Sequence, residues 1–442
     1  MELNGRKVLV VGVGKTGIAT VKFLLKKGAK VSVSDNSPIE KIREQAEMLG
    51  SRGVRLEAGR HIRETFLSAE TIVLSPGVSF NIPPVRDALE EGIEVISEVE
   101  LASRFIDKPV IAVTGSNGKT TTSTLISHIL EKNGKKVFLG ANIGTPLIEI
   151  ARDYERYDIL VLELSSFQLQ GIKTFRPDVA VILNISPNHL DHHATFDEYV
   201  ESKMKIFSNQ SVSDWCIYKA DDEVINKYLP RIKSRKIPFG DSRDENGISY
   251  DGCSINYGSE SYDMRGVKLI GYHNIENIMA AIAATRVFGC DPEVLREAVI
   301  EFSPLAHRNE FLGVIRGAQF YNDSKSTSPG ATLRALESLP APIILIAGGK
   351  DKGVSFDPLR DVIMKKVKCM VLMGESRFRM QKELGSAVNT VLADTLDDAV
   401  DKTLENLDPG DTVLFSPACS SFDMFQSYQD RGRRYKEIVR NI

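Results

Sequence analysis

The segment Thr114-Gly115-Ser116-Asn117-Gly118-Lys119-Thr120-Thr121 concentrates the strongest chemical signal in the chain. Small residues leave backbone N–H groups open to phosphate oxygens, Lys119 reaches β and γ phosphates, and the Thr120 hydroxyl suits Mg²⁺. The spacing departs from Walker A, because the fifth position before Gly118 is Val113 and not glycine. This is a shortened P-loop, and Gly115, Ser116, Asn117, Gly118, Lys119, Thr120 and Thr121 are candidate ATP contacts.

Downstream, the apolar run Leu160–Leu162 delivers Glu163 and then Leu164-Ser165-Ser166-Phe167-Gln168. A carboxylate at the carboxyl end of such a strand can hold a metal ion or position water. Val179–Ile185 leads to Ser186-Pro187-Asn188-His189-Leu190-Asp191-His192-His193, which holds three of the seven histidines. The adjacent pair His192-His193 lacks i, i+4 ligand spacing and no cysteine is near, so zinc is disfavoured. The preferred reading is one working histidine, His189, sharing a hard cation with Glu163. Lys203 lies on an expected helix with Tyr199 and Phe207 four residues away on either side. On residue type alone that position is usually a solvated face.

A second glycine loop, Gly12-Val13-Gly14-Lys15-Thr16-Gly17, reads G-x-G-x-x-G after a strand, and Asp35 ends the next strand. It fits a dinucleotide, another diphosphate ligand or a tight turn with no ligand. Ser75-Pro76-Gly77 ends the run Thr71–Leu74 and would share the same crevice, or form an ordinary proline–glycine turn.

These residues need strands to carry them. Three times a β-branched run is followed by a glycine turn, at Lys7–Val11, Val110–Thr114 and Ile343–Ala347. Helical spacing follows the first two, which predicts parallel α/β sheets buried on both faces. A length of 442 residues accommodates three domains, divided here as 1–96, 97–303 and 304–442. The Asp-, Ser-, Gly- and Tyr-rich stretch Pro238–Gly271 predicts short antiparallel strands appended to the middle domain. A net charge of −3 argues against nucleic acid as partner. No apolar run approaches the ~18–20 residues of a membrane span, and Met1–Val11 lacks signal-peptide character. Five scattered cysteines without a C-x-x-C pair suit reduced thiols in the cytoplasm.

Taken together, these motifs resemble those of the Mur ligase family. Gly115–Thr121 is similar to its TGTNGKTT loop, Glu163–Gln168 to E-x-S-S-F-Q, and Asn184–Asp191 to N-x-x-x-x-H-x-D. Gly271-Tyr272-His273-Asn274-Ile275-Glu276-Asn277 resembles G-x-H-N-x-x-N, and His307-Arg308, Asp323-Ser324-Lys325 and Gly348–Lys352 extend the likeness. The resemblance implies an α/β protein of three domains. These are a Rossmann-like N-terminal domain, a central P-loop-type mononucleotide-binding domain and a C-terminal Rossmann-like domain.

Gly12–Gly17 with Asp35, Ser75-Pro76-Gly77-Val78 and Ser416–Asp423 point within the family to the branch that adds D-glutamate to UDP-N-acetylmuramoyl-L-alanine in cytoplasmic peptidoglycan synthesis. That likeness implies an ATP-dependent amide ligase working through an acyl phosphate, with two Mg²⁺ ions, as a monomer. Gly14, Lys15, Thr16, Asp35, Asn36, Ser75, Pro76 and Gly77 would bind the UDP part, with Asn142, Ser165 and His189 further along the substrate. Asn277, Arg308 and Asp323 would join the ATP site, and Lys325, Thr327, Lys352, Ser421 and Phe422 would surround D-glutamate. Lys119, Glu163, His189 and Lys203 would be catalytic; Thr120, Glu163, His189 and a Lys203 carbamate would hold metal. Rival readings are another amide ligase such as a folylpolyglutamate synthase, an NAD oxidoreductase using Gly12–Gly17, and a nucleotide-binding module without catalysis.

Overall fold

The computed structural model describes residues 2–187, 193, 195–240, 246–269, 271–303 and 306–442. His189 therefore lies outside the described residues. Among those described, the chain divides into two compact units, Met1–Gly266 with Glu276–Ile300, and Val267–Ile275 with Glu301–Ile442.

The first unit holds two sheets. Strands β1 (Lys7–Val11), β2 (Lys30–Asp35), β3 (Arg55–Ala58), β4 (Thr71–Leu74) and β5 (Glu94–Ser97) pair in the order β3-β2-β1-β4-β5, all parallel. That order is the Rossmann pattern, in which β1 marks the point where the winding reverses. The glycine loop after β1 and Ser75 after β4 flank the resulting crevice. Gly12 has φ +95°, and a Cβ there would come within 2.9 Å of the Ser75 Cβ, so only glycine fits this closely packed turn.

The second sheet is built from β6 (Val110–Thr114), β7 (Val137–Ala141), β8 (Ile159–Glu163), β9 (Val179–Ile182), β10 (Trp215–Lys219), β11 (Arg235–Phe239), β12 (Ile248–Tyr250), β13 (Ser254–Tyr257) and β14 (Glu260–Asp263). Their order is β14-β13-β12-β11-β10-β9-β6-β8-β7. The antiparallel stretch expected after Pro238 is present. It continues the sheet edge through one parallel pair, Phe239↔Ile248, before turning antiparallel at β12–β14. Strands β6, β8 and β9 are buried at every position, as their unbroken apolar runs require. A hydrophobic cluster joins both sheets, running from Val10 and Phe23 through Leu147 and Ile148 to Leu160 and Ile182.

The second unit contains β15 (Glu310–Ile315), β16 (Ala318–Asn322), β17 (Ile343–Gly348), β18 (Val367–Met373), β19 (Asn389–Leu392) and β20 (Thr412–Phe415). The order is β15-β16-β20-β17-β18-β19, antiparallel only at β15–β16. The loops after β16, β17 and β20 leave neighbouring strand ends. All five cysteines are unpaired. No described helix is long and apolar enough to cross a membrane.

Candidate active site

Strand β6 ends in the shortened P-loop at the reversal point of the second sheet, between β8 and β9. Gly115 and Gly118 adopt φ +148° and +85°, a region that costs a residue with a Cβ about 1–2 kcal/mol. Space excludes a side chain as well, since a Cβ on Gly118 would collide with the Asn277 amide oxygen. Asn277 is itself buried, and it accepts a hydrogen bond from Thr122 Oγ1 at 3.2 Å. The loop is pinned from β9 by Asn184. Ser116 N donates to the Asn184 carbonyl (2.9 Å), and Asn117 N donates to Asn184 Oδ1 (2.9 Å). Helix Lys119–Lys132 begins directly after, so its free N–H groups and positive dipole end face the loop.

Two lysines converge on one carbonyl here. Lys119 Nζ donates to Gly115 O at 2.8 Å and to Ser116 O at 3.1 Å, while Lys203 Nζ donates to the same Gly115 O at 2.8 Å. The solvated-face reading of Lys203 is corrected: helix Phe196–Met204 turns this side inward, and Lys203 is only 2% exposed. Its ammonium lies 4.8 Å from the centre of the Tyr199 ring, and the Tyr199 hydroxyl meets Ser116 Oγ at 2.7 Å. Burial, reinforced by the neighbouring Lys119 charge, holds the Lys203 amine well below its ordinary pKa, against the pull of Glu163. Tyr199 is pushed up to about 12 by burial, so it acts as a neutral hydrogen-bonding post.

Glu163, at the end of β8, is buried. Its Oε1 accepts from Asn142 Nδ2 at 2.6 Å, and the Asn142 backbone N–H donates to the Glu163 carbonyl at 2.9 Å. Glu163 Oε2 is buried without a hydrogen-bond partner among the described residues. An orphaned carboxylate oxygen beside the P-loop fits a hard cation. Among the described residues no group of three His, Cys, Asp or Glu side chains gathers at one point. A cation here would therefore draw on Glu163, the Thr120 hydroxyl and phosphate oxygens. Ser165 caps the helix that follows. Its hydroxyl accepts from Gln168 N and donates to Gln168 Oε1 (3.0 Å), in a capping box that starts helix Ser166–Gln170.

Around the first glycine loop, Asp35 binds backbone: Val13 N donates to Oδ2 and Ser37 N to Oδ1, both at 2.8 Å. Asp35 thus sets the loop's shape and links it to the turn carrying Asn36. Ser75 Oγ donates to Gly12 O at 3.2 Å, closing the other side of the crevice. Lys15 Nζ donates to Gly144 O at 2.7 Å, which ties this loop to the Asn142 turn beyond β7. Gly14, Lys15, Asn36 and Gly77 are exposed, and Thr16, Ser75 and Pro76 half-buried, along one crevice rim.

In the second unit, Arg308 stands between two non-glycine residues of positive φ, His307 (+65°) and Asn309 (+42°). Asp323 is buried, accepts from Ser416 Oγ at 2.7 Å and Asn309 N at 3.3 Å, and burial pushes its carboxyl up to about 6. Lys325 Nζ lies 5.3 Å from the Tyr428 ring centre, and Thr327 follows half-buried. After β17, Lys350 pairs with Glu375 (2.5 Å) and Asp351 with Arg379 (2.7 Å). Lys352 is left exposed and without an ion-pair partner among the described residues. Ser421 is buried and Phe422 is 72% exposed.

Sequence reasoning gave no role to Arg431, whose helix Tyr428–Arg440 looks like a solvated one. Its side chain is fully buried and donates to Ser324 Oγ (3.1 Å), Ser324 O (2.8 Å), Cys419 O (3.1 Å) and Ser420 O (3.2 Å). It binds together the loops that carry Lys325 and Ser421. The only signal in the sequence was a run of three arginines, Arg431, Arg433 and Arg434, on one short helix.

Comparison with known proteins matches the chain in three parts. Residues 6–97 match the family model for the Mur ligase MurD-like N-terminal domain, 113–285 the Mur ligase middle domain, and 307–419 the Mur ligase glutamate ligase domain. A UDP-N-acetylmuramoylalanine--D-glutamate ligase of Geotalea uraniireducens is 44% identical, covering 100% of this chain and 99% of its own. That of Pelobacter propionicus is 45% identical, with 100% of both chains covered. Among solved structures, a MurF ligase of Thermotoga maritima in complex with ADP superposes with TM-score 0.63 at 19% identity, covering 100% of this chain and 95% of that one. This last likeness concerns the fold.

Proposed function

Because the chain belongs to the Mur ligase family, we propose that it is the ligase that joins D-glutamate to UDP-N-acetylmuramoyl-L-alanine with conversion of ATP to ADP and phosphate. Full-length identity of about 44% to relatives of that name supports the choice of amino acid. The observation that carries the chemistry is the convergence of Lys119, Lys203 and the orphaned Glu163 oxygen at the P-loop. In this reading residues 1–96 hold the UDP end, 97–303 ATP and metal, and 304–442 the amino acid.

The reaction must make a carboxylate electrophilic. A carboxylate oxygen of the alanyl group attacks the γ-phosphorus and the bond to ADP breaks, giving an acyl phosphate. The D-glutamate amine adds to the acyl carbon, loses a proton, and the carbon–oxygen bond to phosphate breaks. Negative groups crowd together throughout, so electrostatic stabilisation dominates. Lys119 and the N–H groups of Gly115–Thr121 would hold the phosphates. Mg²⁺, bound by Thr120, Glu163 and the Lys203 carbamate together with His189, would supply charge neutralisation; we assign two ions. Lys203 is suited to become that carbamate, because burial and the neighbouring Lys119 charge favour the neutral amine, the form that attacks CO₂. The product is an anionic oxygen donor where an ammonium would repel a cation. Asn142 would orient Glu163 and meet the substrate. Asn277, Arg308 and Asp323 would complete the ATP site, and Lys325, Thr327, Lys352, Ser421 and Phe422 would receive the D-glutamate, with Lys352 supplying a cation for a dicarboxylate.

The test is phosphate release from ATP in the presence of UDP-N-acetylmuramoyl-L-alanine, varying only the amino acid. Release stimulated by D-glutamate is the expected result. Stimulation only by L-lysine, diaminopimelate or L-alanine would assign the chain to a different ligation.

A further inference from the structure

His193 has no part in the roles assigned so far, yet it is the most deeply placed polar group between two of the segments that carry them. It is 2% exposed, so the cost of burying its ring nitrogens is offset only by what the ring touches. Its Nε2 lies 2.9 Å from Ser166 Oγ, within hydrogen-bond distance. The ring stacks on Phe167 (centroids 5.5 Å, planes 22° apart) and meets the Tyr199 ring edge-on (5.5 Å, 68°). One hydrogen bond and two ring contacts fix both its place and its plane.

These contacts join the strand end that carries Glu163 to the helix that carries Lys203. Ser166 is itself 1% exposed and opens the helix Ser166–Gln170, three residues after Glu163. Between them Leu164 is tied to the P-loop strand: its N–H donates to Val113 O, and Thr114 Oγ1 donates to its carbonyl, both at 2.9 Å. On the other side, Tyr199 lies one turn before Lys203 on helix Phe196–Met204, and its hydroxyl is 2.7 Å from Ser116 Oγ. A closed circuit results, from Thr114–Ser116 through Tyr199, His193 and Ser166 to Leu164, and back to Thr114. Lys119, Lys203 and Glu163 stand on the three segments of this circuit.

The two helices are fastened again at the far end of Ser166–Gln170, where Gln170 Nε2 donates to Glu198 Oε1 (2.9 Å) and Lys205 Nζ to Gln170 O (2.6 Å). That second fastening keeps the helices together, whereas the His193–Ser166 bond sets their separation at the Glu163 end. Separation matters there because Mg²⁺ accepts oxygen donors only at about 2.0–2.1 Å in near-octahedral geometry, so donors on different segments must be held in register. Resting on the reading of Glu163 and Lys203 as cation holders, we infer that His193 is a positioning residue. It fixes the helix of Lys203 against the strand end of Glu163, and so sets the affinity of the site for a divalent cation.

Mn²⁺ binding to the full chain with a non-hydrolysable ATP analogue, read from the electron paramagnetic resonance of free Mn²⁺, tests this without turnover. His193→Phe keeps a ring against Phe167 and Tyr199 but loses the bond to Ser166. It should bind Mn²⁺ about tenfold more weakly and lower kcat about tenfold, with KM for the UDP substrate and for D-glutamate within about twofold. Ser166→Ala removes the other half of the same bond and should show the same shift, and the double variant should lose no more than either single one. His193→Gln, which keeps a hydrogen-bonding group, should recover part of the Mn²⁺ affinity. If His193→Phe does not fold, Ser166→Ala decides. Mn²⁺ affinity unchanged in the folded variants, or losses that add in the double variant, would overturn this inference alone. Failure of the intact chain to bind Mn²⁺ with the nucleotide would overturn the cation reading and this inference with it.

Discussion

Replacing Lys203 by alanine is expected to lower the rate of ligation on the order of 10²–10³-fold, the range seen when one electrostatic contact to a reacting phosphate or oxyanion is removed. The physical case rests on burial. An ammonium 2% exposed, with the Lys119 charge close by, is held there at a cost, and loss of the charge relieves it. Conversion to a carbamate, as proposed, would remove the positive charge and supply two oxygens as donors for a cation. Alanine removes the donor and leaves a cavity of roughly the size a small carboxylic acid can enter. Formate, acetate or propionate should therefore restore part of the lost rate to Lys203→Ala and none to Lys119→Ala. Steady-state phosphate release over a series of such acids measures this. Full activity in Lys203→Ala would remove the residue from the site.

The second large effect is expected at Arg431. Its guanidinium reaches Ser324, Cys419 and Ser420 at once, so Arg431→Met leaves the buried Ser324 and Cys419 carbonyls without a donor, while Ser420 O keeps Lys350 N–H and Ser324 Oγ keeps its bond to Tyr428 O. Unpaired buried groups cost about 1–3 kcal/mol each before relaxation, so a loss of about 3–5 kcal/mol in unfolding free energy is expected. The loops after β16 and β20 should also lose their fixed separation. If they receive the amino acid, KM for D-glutamate should rise more than about tenfold while KM for ATP and for the UDP substrate stays within about twofold. Arg431→Lys, which keeps the charge but not the fork of donors, should show the same split with a smaller loss of stability. An unchanged KM for D-glutamate in a folded variant would mean that these loops do not receive it.

Features that interrupt a buried strand were readable from residue types. Gly12, Gly348 and Glu163 each follow an unbroken apolar run, and Gly115 follows one through Thr114; an apolar run ending so announces both the strand and its functional end. Contacts between distant segments were not readable. Asn184 reaches the P-loop across 67 residues and Arg431 reaches Ser324 across 107, and nothing local to either residue reports its partner. Lys203 shows the same limit in one position. Helical spacing placed it on a helix but read its face as solvated, because the burial of that face depends on the P-loop it packs against. The helix Tyr272–Val287 begins among residues of one compact unit and continues in the other, and composition gives no sign of it.

The central claim is that the carboxylate of the UDP substrate is phosphorylated before the amine attacks. It is tested most directly by labelling both alanyl carboxylate oxygens with ¹⁸O and measuring the mass of the phosphate released during ligation to D-glutamate. If an acyl phosphate forms, one labelled oxygen leaves with the phosphorus and the other stays in the new amide, so the phosphate carries a single ¹⁸O per turnover. Phosphate free of label, with amide formed, would contradict the account.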